Sequence, residues 1–151
     1  MPDTDTPVFR RAVVALNGGP SDARIVRLVV GLATKGAELI AVHVVEIDWT
    51  LPLDADIAGR SEQIQHVLDS AEAIAEEHKM KMEPVLLQAR DVGAAIVDEA
   101  TERGADLLVV GLPYRKRFGG DFDIGKNVPY ILQNAPCAVW VVREPMSEEP
   151  S

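Results

Sequence analysis

Short runs of apolar, mostly β-branched residues alternate along this chain with longer stretches in which apolar positions recur every three or four residues. The first pattern is that of strands and the second that of amphipathic helices. AVVAL (12–16) predicts the first strand. After Asn17-Gly18-Gly19-Pro20, the Ser21-Asp22 pair is placed to cap a helix with Ile25, Leu28, Val29 and Leu32 on its buried face, and Gly36 closes it. ELIAVHVVEI (38–47) is apolar almost throughout, as a central parallel strand covered on both faces would be. Residues 48–58 form a connection, and a second helix from Ser61 to His78 sets Ile64, Val67, Leu68, Ala71, Ile74 and Ala75 against acids on its other face. MEPVLLQA (82–89) is a strand whose Pro84 marks an edge. A third helix, Val92 to Arg103, stops at Gly104; DLLVV (106–110) follows as a strand. After a long loop, Asn127 is placed as the N-cap of a short helix that tolerates Pro129 in its first turn and ends near Asn134. CAVWVV (137–142) is the last strand. Strands alternating with helices in this way predict βαβ units and a mostly parallel sheet.

At 151 residues the chain has the length of one domain. The folded part is expected over 9–143, with short mobile tails at 1–8 and 144–151, both rich in proline and acids. A net charge of −9 sets the overall field against nucleic acid and anionic membranes, and aromatic residues, at 5%, are too sparse to make a stacking platform for single strands. No apolar run reaches the ~20 residues of a bilayer span, and MPDTDTPVFRR lacks the apolar centre of a secretion signal. A cytoplasmic protein that inserts in no membrane is expected. Cys137 is the single cysteine, which excludes an internal disulfide.

The stretch between the fourth strand and the last helix holds the most chemistry. In an open α/β sheet the ligand crevice lies beyond the carboxyl ends of the strands, where the winding reverses. With the first and fourth strands as neighbours, Leu16-Asn17-Gly18-Gly19 and Val110-Gly111-Leu112 line it. Gly119, Gly120 and Gly125 can take positive φ and turn backbone N–H groups toward an anion, with the positive end of the next helix dipole behind them. Arg115, Lys116, Arg117 and Lys126 reverse the sign of an acidic chain in this one place. If these cations hold a ligand, affinity rises with its number of phosphates. The alternative is a solvated turn, in which the same glycines and charges bind nothing.

AVVALNGGPSDA, AVHVVEI, GADLLVVG and NAPCAVWVVR together resemble the universal stress protein family over nearly the whole folded part. That resemblance implies an α/β three-layer, doubly wound sandwich around a five-stranded parallel sheet of order 3-2-1-4-5. It also implies a homodimer paired through the last strand, and a family divided into ATP binders and non-binders. The family's ATP loop reads Gly-x-x-Gly, nine residues, then Gly-Ser or Gly-Thr. Here the first glycine is Gly111, the second position falls on Tyr114, the third glycine is Gly125, and Lys126 replaces the hydroxyl residue. The interval is one residue longer than the pattern, and Asn17 stands where binders commonly carry aspartate. The implied nucleotide site comprises Ala15, Leu16, Asn17, Val44, Val110, Gly111, Leu112, Tyr114, Arg115, Gly125, Lys126 and Asn127, and the implied interface Ala138, Val139, Trp140, Val141 and Val142. Tyrosine brings a ring where backbone would approach phosphate, so Tyr114 is expected to pack under the loop, with closure over a ligand ring as the alternative.

The resulting expectation is a regulatory protein that acts by binding, not an enzyme, with an altered crevice for ATP or another adenine nucleotide, with or without magnesium, or for none. A nucleotide-independent adaptor, for instance of a membrane transporter, is the alternative, and slow ATP hydrolysis lacks a residue to activate water. His43, His66 and His78 have no metal-ligand spacing, and Cys137 reads as a small buried hydrophobe. Asp121 and Asp123 stand either beside a metal or as balance to a basic loop. Trp49 either covers an adenine or anchors its own loop. Trp140 shares a face with Ala138 and Val142 on a strand whose edge would need covering.

Overall fold

A computed structural model describes residues 6–52, 61–116 and 120–146. The remaining tail residues, most of the 48–58 connection, and Arg117 and Gly119 of the basic loop lie outside these. The elements run β1 (Arg11–Leu16), α1 (Asp22–Leu32), β2 (Glu38–Glu46), α2 (Ser61–Glu77), β3 (Met82–Ala89), α3 (Val92–Glu102), β4 (Leu107–Leu112), α4 (Asn127–Asn134) and β5 (Ala138–Arg143).

The sheet is parallel, of order β3-β2-β1-β4-β5, which is the α/β doubly wound arrangement expected. Alternation along each strand divides the core. Ala12, Val14, Leu16, Leu39, Ala41, Leu107 and Val109 face α1 and α2, while Val13, Ala15, Ile40, Val42, Leu108 and Val110 face α3 and α4. Because β1 is buried on both faces, every residue from Ala12 to Leu16 is apolar. Pro84 pairs with Ala41 from β3, and as an edge strand β3 can lack one N–H donor.

Two helix readings are corrected. Leu28 and Leu32 are 40% and 43% exposed, and the buried stripe of α1 is Ile25, Val26, Val29 and Val30. At ~100° per residue the two stripes share Ile25 and Val29 and differ in which side of them turns inward, a choice made by the sheet and α2. Asn127 is the first residue of α4 rather than its cap; Lys126 holds that position, with helical backbone angles and no side-chain capping bond. β4 runs on past Val110 to Leu112, so that Gly111 is a strand residue. An added Cβ there would lie 2.8 Å from Ile25 Cδ1, and the glycine is what lets α1 pack close to the end of β4.

Candidate functional site

Beyond the carboxyl ends of β1 and β4, on the α3 and α4 face, lies a cavity of about 270 Å³. Ala15, Leu16, Val110 and Leu112 form its strand side, Val92 and Ile96 come from α3, Val128 and Ile131 from α4, and Asn17, Pro113, Arg115 and residues 123–127 surround the mouth. β1 has its neighbours on opposite sides, with chain crossovers leaving in opposite directions, and this is where such sheets open a crevice.

Ten of the twelve residues put forward from the sequence line this cavity. Val44 does not: it packs against the α3 and α4 side of the core from β2 and faces a separate, more open depression. Tyr114 does not either. Its ring is stacked on Phe122 of the same loop, centroids 5.4 Å apart, and the guanidinium of Arg143, at the end of β5, lies 4.9 Å from its centre. The tyrosine is a packing residue that fixes the start of the loop, as its bulk at a glycine position suggested. Val92, Ile96, Val128 and Ile131 escaped the sequence reading because one apolar residue on a helix looks like any other core position, and Pro113 and Ile124 because they lie in a loop without periodicity.

Several N–H groups of the two loops that frame the mouth are taken by nearby side-chain and carbonyl oxygens. In the β1–α1 connection Gly18 has φ +80, and the N–H groups of Asn17 and Gly18 donate to the two carboxylate oxygens of Asp22 at 3.2 and 2.9 Å. Burial pushes the Asp22 carboxyl above the ordinary carboxylate value, against the pull of those two bonds and of His43, with Glu144 adding to the rise. The Asn17 side chain accepts from Gly19 N–H at 2.7 Å and so bends back into its own turn. Ser21, expected as the helix cap, donates its hydroxyl to Glu144 Oε2 at 2.8 Å instead.

In the β4–α4 connection Asp123 N–H donates to the Arg115 carbonyl, and Lys116 and Phe122 form an antiparallel bridge. Gly125 adopts φ +74, the positive angle expected of it, and its N–H donates to Asp123 Oδ1 at 3.0 Å. Lys126 points its ammonium toward Glu46, 3.9 Å away, with both side chains mostly in solvent. Glu144, just past β5, is half-buried and joins the loops: besides the Ser21 bond, its Oε1 accepts from Tyr114 N–H at 3.3 Å. Nothing in the acidic tail composition singled it out.

The remaining candidates take structural roles. Trp49 is 79% exposed and does not reach the cavity; Arg90 lies beneath its ring and donates to the carbonyls of Asp48 and Leu51, which anchors that loop. Trp140 meets Phe9 edge to face, with centroids 6.1 Å apart. Burial, with Asp106 adding to it, raises the Cys137 thiol above its ordinary value, which suits a packing residue. His43 shares a hydrogen bond with the Leu16 carbonyl, and His78 with that of Ile74. Among the described residues there is no group of three or more histidine, cysteine or acidic side chains that could hold a metal, and no helix long and apolar enough to cross a membrane.

The fit to an adenine nucleotide is uneven. The apolar slot suits a base, whereas the Tyr114 ring is held on Phe122 and the Gly125 N–H already donates to Asp123. The model of the universal stress protein family matches residues 9–143. The chain is 31% identical over 142 residues to the sensor protein KdpD of Mycobacterium tuberculosis, covering 93% of this chain and 15% of KdpD. It thus spans about 15% of the length of the curated relatives it matches. It superposes on the universal stress protein from Archaeoglobus fulgidus in complex with dAMP with a TM-score of 0.67 and 21% identity, covering 89% of this chain and 98% of that one. For a universal stress protein family protein from Arabidopsis thaliana with AMP bound, the TM-score is 0.63 at 18% identity, with 93% and 96% covered. At such identities the structural likeness is one of fold.

Proposed function

The chain belongs to the universal stress protein family, and on that footing we propose that it is a cytoplasmic regulatory protein that acts by binding an adenine nucleotide in the β1–β4 crevice. The observation that carries this reading is the apolar cavity at the sheet's switch point, bounded by Ala15, Leu16, Val110 and Leu112 and fronted by polar loops. Fold relatives solved with dAMP and AMP support the choice of adenine. Binding rather than catalysis fits the lining, in which, among the described residues, Asp123 is the one carboxylate and its Oδ1 accepts from Gly125 N–H. Mass spectrometry of small molecules retained through purification, followed by calorimetric titration with adenosine and AMP, tests the reading. An adenine ligand at stoichiometric level supports it; no binding of either at millimolar concentration defeats it.

The assembly in this proposal is a homodimer through β5. That strand is an edge, with Val141 36% exposed and Val139 and Val142 half-buried. Val141→Lys is expected to give monomer by light scattering, and an unchanged dimer would move the interface elsewhere. A second reading, a nucleotide-independent adaptor module, draws on the likeness to a segment of KdpD. Partner binding unaffected by adenine ligands would favour it.

A further inference from the structure

We infer that Glu144 is a positioning residue of this crevice: it lies outside the cavity lining, yet its carboxylate holds the β1–α1 and β4–α4 loops at one spacing, so that affinity for the ligand depends on it. This rests on the adenine reading above and concerns how that same site is held ready.

The ladder between β1 and β4 ends at the Ala15–Val110 pair, and the crevice opens beyond it. Leu16 and Asn17 then line one side of the mouth, and Leu112, Pro113 and Arg115 the other, on chains that the ladder no longer joins. Glu144 grips both. Its Oε2 accepts from the Ser21 hydroxyl at 2.8 Å, in the connection that begins at Asn17. Its Oε1 accepts from the Tyr114 N–H at 3.3 Å, between Pro113 and Arg115, and its own N–H donates to the Leu112 carbonyl at 2.8 Å. The two carboxylate bonds cross 123 and 30 residues of chain, so they are tertiary ties and not turns within one loop.

Strand geometry puts a side chain of this length in the right place. Trp140 and Val142 pack on the α1 side of the sheet, and alternation carries residue 144 to that same side. Parallel pairing of Leu112 with Arg143 sets it level with the start of the β4–α4 loop. α1 comes close because Gly111 has no side chain to meet Ile25, and Ser21 at the N-terminus of that helix is thereby within reach. Ser21 is buried, so its hydroxyl finds little water in place of this partner, and a bond to a carboxylate is stronger than one between neutral groups. The two oxygens serve one loop each.

A mouth that is correctly spaced for part of the time binds in proportion to that fraction. Loss of the clamp therefore weakens the ligand without removing any group that touches it. A carboxylate that only fastened the end of β5 would lower the unfolding temperature and leave the affinity of the folded protein unchanged.

The test is calorimetric titration of adenosine into wild type, Glu144→Gln, Glu144→Ala, Ser21→Ala and the Ser21→Ala/Glu144→Ala double variant, at a temperature where circular dichroism shows each to be folded. Glu144→Ala is expected to bind adenosine about tenfold more weakly than wild type, and Ser21→Ala, which frees one loop, about threefold more weakly. Glutamine keeps an oxygen for the Tyr114 N–H and an amide to donate to the Ser21 hydroxyl, so Glu144→Gln should recover affinity to within about threefold of wild type. The double variant should fall within about twofold of Glu144→Ala, because both changes act through one clamp. Should Glu144→Ala fail to fold, Ser21→Ala decides by the same criterion. If every folded variant binds adenosine as tightly as wild type, the positioning role of Glu144 is overturned while the crevice reading stands. If wild type binds no adenosine at millimolar concentration, both fall.

Discussion

Asp22 and Asp123 each turn a carboxylate onto backbone N–H groups of a glycine-containing loop at the crevice mouth. Asp22 sits at the first turn of an eleven-residue helix, is half-buried, and bridges two consecutive N–H groups with its two oxygens. Asp123 lies in a long connection, is half-buried, and accepts from Gly125 N–H two residues ahead. The difference teaches that one chemical device serves two ends. A carboxylate bridging two consecutive donors at the start of a helix is a structural fixture, because removing it takes the acceptor from both N–H groups at once. A carboxylate accepting from a donor two residues ahead shapes a turn within its own loop.

The largest expected effect therefore falls on the first loop. Asp22→Ala should cost about 2 kcal/mol in urea unfolding, from two N–H groups left without their acceptor. Its ionisation adds a slope to the comparison. The folded-state value is raised, so the folded form holds the proton more tightly than the unfolded form. This group's contribution is then fully present below the ordinary carboxylate value and is lost as pH rises through the raised one. The stability of wild type relative to Asp22→Asn should fall across that interval, and a difference that rises with pH would contradict the assignment.

Next in size is the stack that stiffens the second loop. Tyr114→Ala should destabilise by about 1–2 kcal/mol, from the ring pair with Phe122 and the guanidinium contact of Arg143, while Tyr114→Phe stays within about 0.5 kcal/mol. Asp123→Asn should cost less in thermal unfolding than Asp22→Ala, because asparagine keeps an oxygen for the Gly125 N–H. A loss as large as that of Asp22→Ala would erase the distinction. Smallest of all is Lys126→Ser, for the lysine is 79% exposed and its pairing with Glu46 is a surface one; a change beyond about 0.5 kcal/mol would show that the lysine is tied down more firmly than this.

The sheet was legible because burial on two faces leaves a mark on consecutive residues. AVVAL and ELIAVHVVEI announce central strands with no help from distant neighbours, and Pro84 announces an edge by the donor it lacks. The buried side of α1 was less legible, since Leu28 and Leu32 satisfy helical spacing as well as Val26 and Val30 do, and only the packed sheet chooses. The crevice was found from its position at the strand ends. Its character was not: Asp22 read as half of a capping pair and Asp123 as a metal neighbour or a balance to the basic loop, and their bonds depend on loop angles that no periodicity encodes. Ser21 shows the same limit: a serine before a helix predicts a cap, and a glutamate 123 residues away takes its hydroxyl.

That glutamate also sets an order in time. Glu144 joins Ser21 of the first rim loop to the backbone of Tyr114 in the second, yet it follows both in the chain. Synthesis runs from the N-terminus, and a nascent chain that has reached β5 already possesses each loop without the carboxylate that ties them. The rim of the crevice is therefore the last part of this domain to be assembled, and a ligand that depends on that rim finds its site only on a chain grown past residue 144.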